Sequence, residues 1–150
     1  FRDLFQLKQI PRIPEIHAIQ ASGSSAIFRA MSSGEFQEQP AETVADSISV
    51  NTPSNGYLAL KNLKAYGGHC ITLTDEKILS AQKELSASCG LFSEPAAAAA
   101  YAGFLKQKKK LDSHSTCVVL LTGNGLKDIN SASKNIVIPN KTINSLNELN

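Results

Sequence analysis

The sequence predicts an α/β fold, a parallel sheet with helices on both faces, from three observations. Apolar, β-rich runs occupy residues 16–21, 69–73 and 117–121. The stretches between them carry apolar residues at helical spacing and are long enough for the crossovers that parallel strands require. The last run, Cys117-Val118-Val119-Leu120-Leu121, is unbroken by any polar residue, which is how a strand covered on both faces reads.

Each element follows in order. Pro11-Arg12-Ile13-Pro14 breaks regular structure, and Ile16-His17-Ala18-Ile19-Gln20-Ala21 is the first strand. Ser22-Gly23-Ser24-Ser25 is a turn and cap signal, after which Ile27, Phe28 and Met31 fall on a helix that runs to Gly34. Residues 35–56 are polar and irregular, except that Val44, Ala45 and Ile48 line one face of a short helix over 42–48. Leu60 and Leu63 belong to a further helix, stopped by Gly67-Gly68 ahead of the second strand. Thr74 or Asp75 caps the next one, whose Ile78, Ala81, Leu85 and Ser88 share a side before Gly90 closes it. Ser93-Glu94-Pro95 starts another, with Ser93 as cap and proline in the first turn, where its missing N–H costs nothing. The small residues of that helix let a neighbouring backbone approach, and Lys106, Lys108, Lys109 and Lys110 suit its negative end. The third strand stops at Thr122-Gly123-Asn124-Gly125. Residues 136–150, rich in Asn, Lys and Ser, read as a tail that wraps the surface or is disordered.

Composition narrows the function. The 150 residues, 42% hydrophobic and 19% charged, fit one ordinary soluble domain or a large part of one. A net charge of +2 with scattered basic residues argues for neither nucleic acid nor an anionic membrane. The apolar stretch at 96–102 is far short of the roughly 20 residues a membrane span needs, and residues 1–20 lack the apolar centre of a signal peptide. A cytoplasmic protein is expected. Cys70, Cys89 and Cys117 have no C-x-x-C spacing and read as reduced, buried thiols rather than a disulfide or zinc framework. A chain that starts at Phe1 rather than Met reads as a fragment.

In an open parallel sheet, ligands gather beyond the carboxyl ends of the strands, where loops and helix N-termini converge. The first candidate is therefore Thr122-Gly123-Asn124-Gly125-Leu126-Lys127-Asp128, with a hydroxyl beside glycines that admit close backbone approach. Its competing reading is a tight turn in which Thr122 bonds local backbone. Ser22-Gly23-Ser24-Ser25 is either an anion site or an ordinary helix cap. Glu94 is either a functional carboxylate or a residue that favours the helix dipole. Lys127 reads as solvated beside Asp128, since an amine nucleophile needs a desolvated pocket. His17, His69 and His114 show no catalytic or metal-binding spacing, so no metal is expected.

As a set, these motifs carry a resemblance. Ile19-Gln20-Ala21, Pro40-Ala41-Glu42-Thr43-Val44-Ala45, Gly90-Leu91-Phe92-Ser93-Glu94-Pro95-Ala96 and Leu121-Thr122-Gly123-Asn124-Gly125-Leu126-Lys127-Asp128 resemble, in order and interval, the carboxyl half of threonine synthases, over about residues 1–130. The family is of fold type II and uses pyridoxal 5′-phosphate. The resemblance implies that residues 1–135 are part of its large domain, with 136–150 as the tail. It implies conversion of O-phospho-L-homoserine and water to L-threonine and phosphate. By analogy Thr122 faces the pyridine nitrogen, Ala45 and its neighbours lie near the ring, Gly123 leaves room for the cofactor, and Glu94 lies at the helix start behind it. The Schiff-base lysine and the phosphate-holding loop belong to the family's amino-terminal half. That half has no counterpart here, so the implied partner is the missing half and the isolated chain is expected to be inactive. Two other readings stand beside this one: a threonine or serine dehydratase with the same cofactor, and a catalytically dead module whose exposed apolar surface forms a homodimer or recruits a partner.

Overall fold

The computed structural model describes residues 1–134 and, beyond them, 136, 142, 144 and 145; most of the expected tail lies outside the described residues. Strands β1 (Ala18–Ala21) and β2 (Cys70–Leu73) pair in parallel, with Ala18 opposite Cys70 and Ala21 opposite Leu73. The helices are α1 (Arg2–Gln6), α2 (Ala26–Ser33), α3 (Gly56–Ala65), α4 (Asp75–Cys89), α5 (Pro95–Gln107) and α6 (Ile129–Ser133). Between the strands, α2 and α3 form the crossover that a parallel pair demands.

Alternation along the strands sends side chains to opposite faces, and helices cover both. Ile19, Ala21 and Leu73 face α4 and α5, where they join Ala45, Ile78, Ala81, Ala98, Ala99 and Ala102 in one core cluster. The alanine-rich α5 comes close because its residues are small; a Cβ on Gly103 would stand 2.4 Å from Ile19 Cδ1. On the other face Gln20 Oε1 accepts the backbone N–H of Phe28 in α2 at 2.9 Å and the Cys70 thiol at 3.5 Å. No helix among the described residues is long and apolar enough to cross a membrane.

Four expectations need correction. Residues 117–121 form no strand: the segment is irregular, with Val118 82% and Leu120 71% exposed. A β-branched run becomes a strand only beside another strand, and no described strand borders it. The helix expected over 42–48 is reduced to a single 3-10 turn, Asp46–Ile48. Glu94, not Ser93, is the N-cap residue of α5, and the Ser93 hydroxyl is buried without a hydrogen-bond partner among the described residues.

The thiols are the fourth correction. All three cysteines are free, but Cys89 and Cys117 are exposed and only Cys70 is partly buried. Burial pushes the Cys70 thiol up to about 11 from its ordinary 9.0, with the backbone N–H of Ile71 opposing the shift. The thiolate is the reactive form, and a pKa of about 11 in place of 9.0 leaves roughly 100-fold less of it at pH 8. Iodoacetamide at pH 8 is therefore expected to modify Cys89 and Cys117 well before Cys70, as read by peptide mass spectrometry. Equal rates at all three positions would contradict this burial.

Candidate functional site

The site is built where the carboxyl ends of β1 and β2 lead into the loop at 22–25 and the start of α4. These two elements hold the segment 41–50. Glu42 N–H donates to Gly23 O at 3.0 Å. The Ser24 hydroxyl donates to Ile48 O at 2.9 Å and accepts from Val50 N–H at 3.1 Å. The Ser25 hydroxyl donates to Ser22 O. The hydroxyls at 24 and 25 are thus engaged by backbone and, at 25, also by Arg29 Nη1 at 3.1 Å; Ser25 is the N-cap residue of α2, but its side chain makes no cap hydrogen bond. On the other side Asp75 accepts the Thr43 hydroxyl at 2.5 Å and the Val44 N–H at 2.9 Å.

Ala45, within that segment, is fully buried in the core cluster. The 3-10 turn after it presents Ser47, whose hydroxyl donates to Glu94 Oε2 at 3.4 Å. Glu94 is 6% exposed, and its carboxylate also receives Lys127 Nζ at 2.9 Å. Lys127 stays largely in solvent, as the sequence implied, but its amine pairs with Glu94 at the start of α5 rather than with Asp128. Asp128 instead accepts the backbone N–H of Ser131, and bonding to Ser131 holds its carboxyl below the usual carboxylate range.

Segments 92–94 and 123–125 run against each other. Glu94 N–H donates to Gly123 O, Gly125 N–H donates to Phe92 O, both at 3.0 Å, and Ser93 and Asn124 form an antiparallel bridge. This ladder aligns Gly123 with the Glu94 side chain so closely that a Cβ at 123 would fall 2.0 Å from Glu94 Oε1. The Asn124 side chain accepts from Leu126 N–H and caps the 3-10 helix Gly125–Asp128, which carries Lys127. Thr122, one residue before the ladder, is exposed, and its hydroxyl makes no hydrogen bond within the described residues.

Asp46, Ser47, Glu94, Pro95, Ala96, Lys127 and Asp128 line a cavity of about 300 Å³. Of the residues the sequence singled out, Glu94 lines it, Gly123 lies against Glu94, Ala45 is buried in the segment that supplies Asp46 and Ser47, and Thr122 flanks Gly123. Ser47 and the Lys127 pairing escaped the sequence reading, because both depend on contacts between segments far apart in the chain. At the opposite end of the sheet, His17 and His69 stack with ring centroids 5.4 Å apart, each near Glu15. No group of residues able to hold a metal is present among the described residues.

A sequence model of the family described as pyridoxal-phosphate dependent enzymes matches residues 4–123. The threonine synthase of Synechocystis sp. (strain ATCC 27184 / PCC 6803 / Kazusa) is 39% identical over 124 residues, 83% of this chain and 31% of that protein. That of Halalkalibacterium halodurans is 36% identical, covering 85% of this chain and 37% of the protein. The chain thus spans about a third of the length of the curated relatives it matches. Among solved structures, an L-serine ammonia-lyase from Rhizomucor miehei superposes with TM-score 0.70 at 20% identity, over 89% of this chain and 44% of that one. A T.th. threonine deaminase gives 0.64 at 19% identity, over 79% and 42%. At those identities the likeness is one of fold.

Proposed function

The chain belongs to the pyridoxal-phosphate dependent enzyme family, and we propose that it is the carboxyl-terminal portion of a threonine synthase. The whole polypeptide then converts O-phospho-L-homoserine and water to L-threonine and phosphate in the cytoplasm. The observation that carries this reading is the 39% identity to a threonine synthase across most of the chain, where the solved lyases of like fold stay near 20%.

The donor set fits one end of the cofactor. A cavity bordered by Asp46, Glu94 and Asp128 is too acidic to hold a phosphate, whereas the exposed neutral hydroxyl of Thr122, beside that wall, would suit a ring nitrogen. Lys127 is engaged by Glu94 and is not the amine that anchors the cofactor. When bound, pyridoxal phosphate supplies the electron sink for carbanion chemistry.

The residues of this chain hold its pyridine side. Thr122 would donate a hydrogen bond at the ring nitrogen, and a neutral donor there would leave that nitrogen less protonated than a carboxylate would. Gly123, with no side chain, leaves the space that the Glu94 carboxylate fills at the cavity wall. Glu94, tied to Ser47 and Lys127, closes the cavity wall, and Ala45 anchors that wall in the core. The phosphate and the covalent anchor belong to the partner half, outside these residues. The exposed apolar run at 117–121 is a surface for that remaining part of the polypeptide to cover.

Two measurements test this. The full polypeptide is expected to release phosphate from phosphohomoserine and to leave threonine intact; ammonia release from threonine, with phosphohomoserine untouched, would replace the reading with a dehydratase. The 150-residue chain alone is expected to show neither the visible absorbance of bound cofactor nor phosphate release. Either signal would refute the division of labour between the halves.

A further inference from the structure

We propose that Asp75 is a positioning residue for the cofactor site, acting through Thr43 and Val44. It rests on the reading that the cavity beside Glu94 takes the cofactor. As the first residue of α4 it could serve only that helix's dipole, but both of its carboxylate oxygens are spent on another segment, 31 and 32 residues away. Oδ1 accepts the Thr43 hydroxyl and Oδ2 accepts the Val44 N–H. The same Thr43 oxygen then accepts the Ala45 N–H at 3.2 Å, so one carboxylate fixes three consecutive residues.

The consequence reaches the cavity in two further steps. Ala45 O accepts Ile48 N–H at 3.0 Å, which closes the 3-10 turn, and that turn delivers the Ser47 hydroxyl to Glu94. The far end of the segment is held independently by Ser24. Residues 43–48 have little regular structure of their own, so their position depends on these two clamps. Glu42 stays tied to Gly23, but without Asp75 residues 43–45 lose their side-chain clamp, and Ser47 no longer meets a fixed Glu94.

Two experiments decide it. In the first, hydrogen exchange is followed in the 150-residue chain. Asp75→Ala is expected to speed exchange at Val44 and Ala45 by about 10- to 100-fold, the range for loss of hydrogen bonds to a charged acceptor, while the interior of α4 stays protected. Thr43→Val is expected to expose Ala45 and spare Val44; Thr43→Ser retains the hydroxyl and restores both. In the second, pyridoxal phosphate is titrated into the full polypeptide, where Asp75→Ala weakens binding about 10-fold and Thr43→Ser leaves it unchanged. Asp75→Asn, which keeps one acceptor, gives a milder variant if Asp75→Ala fails to fold. Exchange raised only in the first turn of α4 would reduce Asp75 to a helix-end residue and overturn the proposal. So would unchanged cofactor affinity in a variant whose residues 44 and 45 exchange faster. Absence of cofactor binding by the unmutated polypeptide would instead sink the functional reading, with the exchange measurement still deciding the clamp.

Discussion

Gly23→Ala is expected to destabilise the chain by about 3 kcal/mol, an overpacking cost at the upper end of the usual range with a lost hydrogen bond added. The new Cβ would stand 2.0 Å from Glu42 O and 3.2 Å from its carbonyl carbon. The clashing atom is backbone, so no side chain can swing away. Gly23 is not among the residues with positive φ, so the cost arises from contact and not from a backbone conformation that alanine resists. The same pair makes the hydrogen bond from Glu42 N–H to Gly23 O, which must lengthen as the segment retreats. For a chain of this size the midpoint should fall by about 6–12 °C, measured by thermal unfolding followed by circular dichroism. A shift under about 2 °C would mean that the loop at 22–25 and the segment 41–50 are not packed as described. The variant also separates two roles of a serine-glycine turn, since an anion site would lose affinity whereas a packing contact loses stability.

That turn marks a boundary in what the sequence could show. β1, β2, α4 and α5 were legible because their signals are local: apolar runs, helical spacing, a proline in the first turn of α5 and a left-handed glycine, Gly90 with φ 67°, after α4. Residues 117–121 were misread for the complementary reason. Continuous apolar character describes the surroundings a segment expects, and those surroundings are not supplied by the described residues. The five-residue α1 and α6 are too short to develop a period.

Within the site, the sequence and the motif resemblance drew attention to Glu94 and Gly123, and the structure brings them into contact. The sequence did not reveal why Lys127 leaves Asp128 for Glu94, or that Asp75 serves residues 43–45 rather than its own helix. Both are side-chain choices between segments more than 30 residues apart, and no local spacing encodes them.

The second large effect is expected at Gly123. Alanine there would place Cβ 2.0 Å from Glu94 Oε1, 2.3 Å from Cδ and 2.9 Å from Cγ. Position 123 cannot back away, because the paired hydrogen bonds of the 92–94 and 123–125 ladder hold both backbones. The carboxylate must therefore move, breaking the 2.9 Å contact with Lys127 and the weaker one from Ser47. Lys127 is 62% exposed and can return to water, but the displaced carboxylate starts from a buried site, so the loss falls mainly on Glu94. Stability should drop by about 2 kcal/mol in urea unfolding of the 150-residue chain, and in the full polypeptide the displaced carboxylate disturbs the cavity that Glu94 lines. There, affinity for pyridoxal phosphate is expected to fall about 100-fold, measured by equilibrium titration. Glu94→Ala separates the two effects. Combined with Gly123→Ala it removes the clash, so the double variant should be more stable than the sum of the single changes predicts, by about 1 kcal/mol or more. Cofactor affinity should not recover with it, because the Glu94 carboxylate that lines the cavity is then missing. Additive stabilities would show that the two residues do not meet, and restored affinity would show that the Glu94 carboxylate is no part of the cofactor site.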